Sequence, residues 1–152
     1  MRFRFIWPGK TKDERLRSLI SEYLKRLSRF AKCEVTEIRE SANADPSAKA
    51  KEAQRILEAI SSTSLAVLLD ERGRELSSKQ LAVQVGRWEQ ESIKELAILI
   101  GGPDGVDDEV KSRAQLRWRL SRMTLTHEMA RVLLVEQLYR AYAINRGLPY
   151  QK

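Results

Sequence analysis

The sequence predicts an α/β domain with a mostly parallel sheet of five to six strands and helices on both faces. Along the whole chain, short segments that are apolar or of alternating polarity are followed by longer segments of helical periodicity. The run at 96–100 is apolar at every position, which is typical of a strand buried on both faces. A length of 152 residues fits one domain, residues 1–152, with a sizeable core.

The first two predicted strands flank a basic helix. Residues 2–7 alternate between polar and apolar side chains until a proline and a glycine break the pattern. Thr11 is followed three residues later by Glu14, and this spacing predicts a capping box at the start of the first helix. Residues 33–38 alternate again and predict the second strand.

The middle of the chain has clear helix starts. Asp45 as N-cap and Pro46 in the first turn predict the beginning of the second helix. The apolar run at 65–69 predicts the third strand, and Ser77 or Ser78 is expected to cap the third helix.

The last third predicts two more strands and two more helices. Residues 96–100 form the fourth strand, 106–114 a short helix, 116–120 the fifth strand and 127–145 a long helix. The long helix is apolar over most of its circumference, so it must be buried on several sides. We therefore expect a homodimer in which a second subunit covers one of those sides.

A glycine-rich turn follows the fourth strand and is the first candidate for a ligand site. Gly101 and Gly102 allow close approach of a ligand to the backbone, at the sheet edge where open α/β sheets bind ligands. The entry to the next helix is crowded with acids that would repel a pyrophosphate, namely Asp104, Asp107, Asp108 and Glu109. The turn therefore favours an uncharged or cationic ligand. The alternative is a plain strand-to-helix turn.

The charge of the chain favours a polyanionic partner. Lysines and arginines number 28 against 21 acids, and ten of these bases but only three acids fall within residues 1–32. A nucleic acid is the simplest such partner, and Arg2, Arg4, Lys10, Lys12 and the bases of the first helix are the expected phosphate contacts. The alternative is a solvated surface that happens to be positive.

Several classes of protein are disfavoured. No apolar run approaches the length of a membrane span, and the start of the chain lacks the long apolar centre of a signal peptide. The lone Cys33 excludes an internal disulfide, and with a single histidine a zinc site is not expected. We expect a cytoplasmic protein without a metal.

Three blocks of sequence, in order and at matching spacing, carry a family resemblance. They are residues 68–78 (LLDERGRELSS), 98–105 (ILIGGPDG) and 121–144 (SRMTLTHEMARVLLVEQLYRAYAI). Together with a short tail ending in Pro149-Tyr150, they resemble the bacterial 23S ribosomal RNA pseudouridine N3-methyltransferases of the SPOUT type. The resemblance spans the chain and is weakest in the first third. Family tails commonly carry histidines on both sides of the Pro-Tyr pair, and this chain lacks both.

The resemblance implies a trefoil-knotted fold, a homodimer, S-adenosylmethionine as cofactor, and ribosomal RNA or the assembled ribosome as substrate. It also implies a cofactor pocket built from three loops. Its expected residues are Leu69, Gly101, Gly102, Gly105, Ser121, Arg122, Met123, Thr124, Leu125 and Thr126. A sulfonium cofactor without phosphate tolerates acids beside a glycine turn.

Four residues are candidates for the chemistry of methyl transfer. His127 could take the N3 proton, or could make a structural hydrogen bond at a helix start. Arg131 could meet a phosphate or pair with an acid. Glu136 could act in the site, although an ion pair with Arg140 one turn away is the simpler interpretation. Tyr150 could stack on a base, or belong to a frayed tail.

Three rival functions remain open at this point. One is a transfer-RNA methyltransferase of the same fold, and another is a knotted RNA-binding protein whose catalysis is weakened or lost. The third is a Rossmann-type nucleotide enzyme, which the acids around the glycine turn disfavour.

Overall fold

The computed structural model describes residues 1–41, 45–102 and 105–150. Within these ranges, five strands and five helices alternate in the predicted order. Their bounds are β1 Arg2–Pro8, α1 Glu14–Leu27, β2 Lys32–Ile38, α2 Pro46–Ala59, β3 Leu65–Glu75, α3 Ser78–Gln90, β4 Glu95–Ile100, α4 Asp108–Arg113, β5 Leu116–Arg119 and α5 His127–Asn145. None of these helices is long and apolar enough to span a bilayer.

The strands form one sheet in the order β2-β1-β4-β3-β5, and all neighbouring pairs are parallel. The predicted parallel α/β architecture is therefore confirmed. Strand β3 extends further than the predicted 65–69, because its pairing with β5 shifts register between Leu69 and Arg74. Residues 70–73 leave the β5 ladder there, and the chain rejoins it at Arg74.

Helices cover both faces of the sheet, as predicted. The larger core cluster joins Phe3 and other residues of β1 to Tyr142 of α5 and to residues of α1 and α3. The smaller cluster joins Ile6 to Ile56 of α2 and Val110 of α4. The alternation in β1 thus divides its apolar side chains between two cores.

The predicted capping box at Thr11 and Glu14 is wrong. The carboxylate of Asp13 caps α1, accepting hydrogen bonds from the backbone N–H groups of Arg15 (2.9 Å) and Leu16 (3.3 Å). The Thr11 hydroxyl is instead buried and accepts a hydrogen bond from Arg131 of α5 at 3.0 Å. The hydroxyl that the local pattern assigned to the helix cap is therefore used in a tertiary hydrogen bond with Arg131.

Helix α5 lies against α1 and α3. Eight of its 19 residues are buried within the chain, which confirms that this helix is covered on several sides. Much of the apolar surface from which a dimer was predicted is therefore covered by the chain itself. Met129, in the first turn, is the large apolar residue of α5 that stays exposed, at 38%.

Candidate active site

A cavity of about 550 Å³ opens at the carboxyl ends of the central strands. It lies between the bulged part of β3, the glycine turn after β4 and the segment that joins β5 to α5. Its lining consists of Lys49, Leu69, Asp70, Glu71, Arg72, Ile100, Gly101, Gly102, Gly105, Val106, Lys111, Trp118, Arg119, Leu120, Ser121, Met123, Thr124, Leu125, His127 and Ala130. This volume suits a ligand of cofactor size.

The three loops expected to hold a cofactor all line this cavity. Eight of the ten expected residues take part: Leu69, Gly101, Gly102, Gly105, Ser121, Met123, Thr124 and Leu125. The other two lie beside it. Arg122 points back to Glu75, and the Thr126 hydroxyl caps α5 by accepting the backbone N–H of Met129 at 3.2 Å.

The glycine turn is tight, and two of its positions need glycine. A Cβ on Gly101 would lie 2.6 Å from Cγ1 of Val106. Gly105 has φ of +78° and donates its N–H to the Gly102 carbonyl at 3.0 Å, which closes the turn. The Pro103-Asp104 pair, part of the predicted motif, lies outside the described residues. The backbone geometry is thus one that brings main-chain groups to the cavity wall.

His127 is the candidate proton acceptor that the structure brings to the cavity. It is the first residue of α5, half-buried, and lines the cavity beside Thr124 and Leu125. Its imidazole makes no hydrogen bond within the described part of the chain, so the structural bond required by the alternative interpretation is not made there.

Arg131 does not line the cavity. Its side chain is completely buried, and its guanidinium donates to the carbonyl oxygens of Pro8 (2.6 Å) and Gly9 (3.3 Å) as well as to Thr11. The group also lies 4.9 Å from the ring of Trp7, in cation–π geometry. Burial lowers the pKa of the Arg131 guanidinium. These contacts tie α5 to the end of β1 and leave no room for a phosphate.

Glu136 and Tyr150 meet each other away from the cavity. Glu136 forms the predicted ion pair with Arg140 (2.6 Å) and also accepts hydrogen bonds from Gln137 (2.7 Å) and Tyr150 (2.8 Å). The Tyr150 ring packs edge-on against Tyr139, with centroids 4.8 Å apart. The tail is therefore docked on its own helix up to Tyr150, and the frayed-tail interpretation does not hold for that residue.

The sequence reasoning missed an ion pair at the cavity wall. The Asp70 carboxylate lines the cavity and accepts a hydrogen bond from Arg117 Nε at 2.8 Å and one from the backbone N–H of Arg72 at 3.0 Å. Partial burial opposes ionisation of Asp70, but these bonds outweigh it, so the pKa of Asp70 is lowered. The charged run at 70–72, directly after the apolar run of the third strand, was the available signal.

The cavity also carries cations that were not predicted. Lys49, Arg72, Lys111 and Arg119 line it, against the acids Asp70 and Glu71.

The acids expected at the entry to the next helix are found there. Asp107 is the N-cap residue of α4, and Asp108 and Glu109 lie in its first turn, while Asp104 lies outside the described residues. They oppose the positive end of the helix dipole, as predicted, but the three described acids do not line the cavity.

Trp88 and Trp118 are core residues, each 3% exposed, and both fall on the apolar period of their element. Trp118 also lines the cavity, so it borders both the core and the candidate site. The described residues hold no group of three or more histidine, cysteine or acidic side chains that could bind a metal ion.

Comparison with known proteins places this geometry in a family. A family model described as "Predicted SPOUT methyltransferase" matches residues 1–151. "Ribosomal RNA large subunit methyltransferase H" from Geobacter sulfurreducens is 42% identical over 151 residues, covering 99% of both chains. "Putative ribosomal RNA large subunit methyltransferase H" from Methanoregula boonei is 45% identical over 159 residues, covering 100% of both.

A solved structure supports the fold. A probable methylase family protein from Haemophilus influenzae superimposes with a TM-score of 0.56 at 14% identity, over 99% of this chain and 70% of that one. The parallel sheet with its cavity and the full-length match define an α/β methyltransferase. The chain belongs to the SPOUT methyltransferase family, as the three sequence blocks predicted.

Proposed function

We propose that this protein transfers a methyl group from S-adenosylmethionine to large-subunit ribosomal RNA, with N3 of a pseudouridine as the target implied by the sequence resemblance. One observation carries the proposal: Leu69, the glycine turn and residues 121–125, which lie far apart in the sequence, converge on one cavity. The names of the relatives support ribosomal RNA as the substrate.

The cavity fits the proposed cofactor in its chemistry. Leu69, Ile100 and Leu125 offer an apolar wall for a purine, and the glycine turn brings backbone to the cavity wall. When bound, S-adenosylmethionine supplies a methyl group activated by a sulfonium. Residues 121–125 and the glycine turn would hold it, and the anionic Asp70 lies at the same wall.

His127 is the residue we assign to the N3 proton. Methylation at N3 requires loss of that proton, and a positioned imidazole is a common general base. Its place on the cavity wall and its lack of a hydrogen bond within the described residues support this role. Positioning of the two reactants would supply much of the remaining rate.

We propose that Tyr150 and the tail serve substrate binding across a homodimer, while Arg131 and Glu136 hold the elements that carry the site. Tyr150 lies off the cavity of its own chain, so a contribution to a site requires a second subunit. Glu136 anchors Tyr150, and Arg131 anchors the end of β1 and the segment that follows it. A trefoil knot, implied by the family, remains a prediction. A ribosomal substrate would place the enzyme in the cytoplasm.

Cofactor binding and substrate choice are tested separately. Titration calorimetry with S-adenosylmethionine should show saturable binding. Methyl transfer should then be measured on isolated large subunits, intact ribosomes and transfer RNA, with mapping of the modified position. Binding without transfer to any ribosomal substrate would favour a catalytically silent RNA-binding protein. Transfer to transfer RNA alone would assign the rival methyltransferase function, and absence of cofactor binding would refute the proposal.

A further inference from the structure

The segment that joins β5 to α5 is held in place by two side chains from outside it. Residues 121–125 supply four members of the cavity lining, yet Met123 is 78% exposed and Thr124 is also exposed. Within the described residues, the hydrogen bonds and ion pairs that link this segment to other parts of the chain come from Arg119 and Glu75.

Arg119 binds the backbone of the segment. Its Nε donates to the Ser121 carbonyl at 3.0 Å, and its Nη2 donates to the Arg122 carbonyl at 3.3 Å. Two bonds from one planar guanidinium fix the direction of two consecutive peptide groups. Arg119 is the last residue of β5, so these bonds fix the position of the segment relative to the sheet.

Glu75 completes the arrangement from β3. It is paired in register with Arg119, and its carboxylate lies 3.6 Å from Nη1 of that residue. Arg122 turns back to the same carboxylate, with Nε 3.0 Å from Oε1. Arg122 is therefore held at both its carbonyl and its side chain. Glu75 does not line the cavity, so it can affect a ligand only through these two arginines.

We propose that Glu75 and Arg119 are positioning residues that fix residues 121–125 in the shape that binds the cofactor. The proposal rests on the proposed S-adenosylmethionine site. Each ion pair is partly exposed and contributes little alone, since exposed pairs are screened by water. Their effect is to restrict a short exposed segment, which lowers the cost of ordering it on binding.

Arg119 also lines the cavity, so a direct contact of its charge with a bound molecule is the competing explanation. Two variants separate the explanations. Arg119→Lys keeps the charge but cannot make the two-carbonyl contact, and Glu75→Gln removes a charge that never faces the ligand. Arg74→Lys is the matched control, because Arg74 precedes Glu75 in β3 and its side chain makes no ion pair with described residues.

Calorimetry with the demethylated product, S-adenosylhomocysteine, measures the effect on binding. We expect Kd to rise about tenfold in Arg119→Lys and about threefold or more in Glu75→Gln, with Arg74→Lys unchanged. In the double variant, Kd should rise by less than the product of the two single-variant factors, because both side chains act through one arrangement. KM for ribosomal RNA should stay constant. Wild-type affinity in both Arg119→Lys and Glu75→Gln would overturn the proposal.

Amide hydrogen exchange of the ligand-free protein tests the proposal even if no cofactor binds. The amides of residues 121–125 should exchange faster in both variants, while those of β4 keep their wild-type rates. Unchanged exchange of the segment would overturn the positioning role. Failure of the wild-type protein to bind S-adenosylmethionine, with exchange increased as expected, would instead reject the proposed function.

Discussion

The Tyr150 hydroxyl donates a 2.8 Å hydrogen bond to Oε1 of Glu136, an atom that also accepts from Arg140. Tyr23 of α1 is hydrogen-bonded to the same hydroxyl at 3.1 Å, and the Arg140 guanidinium lies 4.8 Å from the Tyr150 ring centroid. Burial and these bonds raise the pKa of Tyr150, so the hydroxyl remains a donor at neutral pH. This contact docks the C-terminal tail on α5.

Tyr150→Phe should loosen the tail while keeping its ring. The variant loses both hydroxyl bonds, and we expect a decrease of about 1 kcal/mol in the free energy of unfolding by urea denaturation. Deleting residues 150–152 also removes the ring, and a stacked aromatic is worth about 1–3 kcal/mol per base in single-strand binding. The deletion should therefore sharply reduce methyl transfer and spare cofactor affinity. Full turnover after the deletion would remove the tail from the active site.

Glu95 should make stability depend on acid pH. Its side chain is 14% exposed and accepts from Ser64 (2.6 Å) and Arg4 (3.3 Å). Burial opposes its ionisation, but these contacts outweigh it and lower the pKa of Glu95. A lowered native pKa stabilises the fold above about pH 4.3, the usual glutamate value, and this contribution is lost as pH falls through the native pKa.

Glu95→Gln should therefore unfold more easily than wild type at pH 7 and approach it at low pH. We expect a difference of about 1 kcal/mol at pH 7, from urea titrations repeated between pH 7 and pH 3. Lys94→Gln, one residue away, is the control and should track wild type throughout. A Glu95→Gln deficit that stays constant down to pH 3 would show that the effect is not the loss of the carboxylate charge.

The sequence patterns predicted elements better than their ends. The apolar run of β4 and the periodicity of the helices are local properties, so they were sufficient to predict the parallel sheet. Strand β3 was predicted to end at Leu69 because the apolar run stops there and Asp70-Glu71-Arg72-Gly73 follow. Those residues do leave the ladder, but the chain rejoins β5 afterwards. No local pattern records pairing with a strand more than 40 residues away.

The same limit explains the misplaced side chains. Thr11 and Glu14 have correct capping spacing, but Arg131, 120 residues away, takes the threonine hydroxyl. Arg119 and Asp70 lie in segments whose alternation or charge was already explained by secondary structure, so their place at the cavity could not be inferred from spacing. The loops with glycines or a family resemblance do line the cavity, because those signals do not depend on secondary structure alone.

Gly102→Val should abolish binding of the cofactor. A Cβ at this position would make only ordinary contacts, 3.7 Å from Glu52 and 3.8 Å from Pro8, so the fold should tolerate it. Because Gly102 lines the cavity, we expect the valine methyl groups beyond that Cβ to occupy space that the cofactor needs. Calorimetry should show no saturable binding. Gly86→Ala in α3 is the control, and a folded Gly102→Val with wild-type affinity would separate the glycine turn from the site.

Affinity for ribosomal RNA should fall steeply with salt, and the cavity mouth should account for part of this. Arg72 and Lys111 line the cavity, whereas Arg2 and Arg4 lie near the opposite edge of the sheet in ion pairs with Glu34 and Glu95. Neutralising Arg72 and Lys111 to glutamine should weaken binding and reduce the log–log salt slope by about 1.4, the value for two contacts to single-stranded RNA.

The matched control for this experiment neutralises Lys32 and Lys94, which lie at the amino edge of the sheet. It removes the same charge from the protein but should leave the salt slope near that of wild type. Equal losses in the two double variants would indicate that net charge, and not a defined phosphate path, governs binding. Loss of affinity in the control alone would place the RNA on the opposite edge.

A homodimer should form through the start of α5. Met123, which lines the cavity, is 78% exposed, and Met129 in the first turn of this helix is 38% exposed. Covering such side chains with a second copy would bury apolar surface next to the site, where a partner's tail could reach it. Sedimentation velocity at micromolar concentration should give a dimer.

Met129→Asp should shift the protein toward monomer and reduce methyl transfer, because the tail of the partner would be lost with it. Val83→Asp, a comparable change at a 54% exposed position of α3, should leave the dimer intact. A stable monomer for the unmodified protein that still methylates RNA would show that one chain forms a complete site.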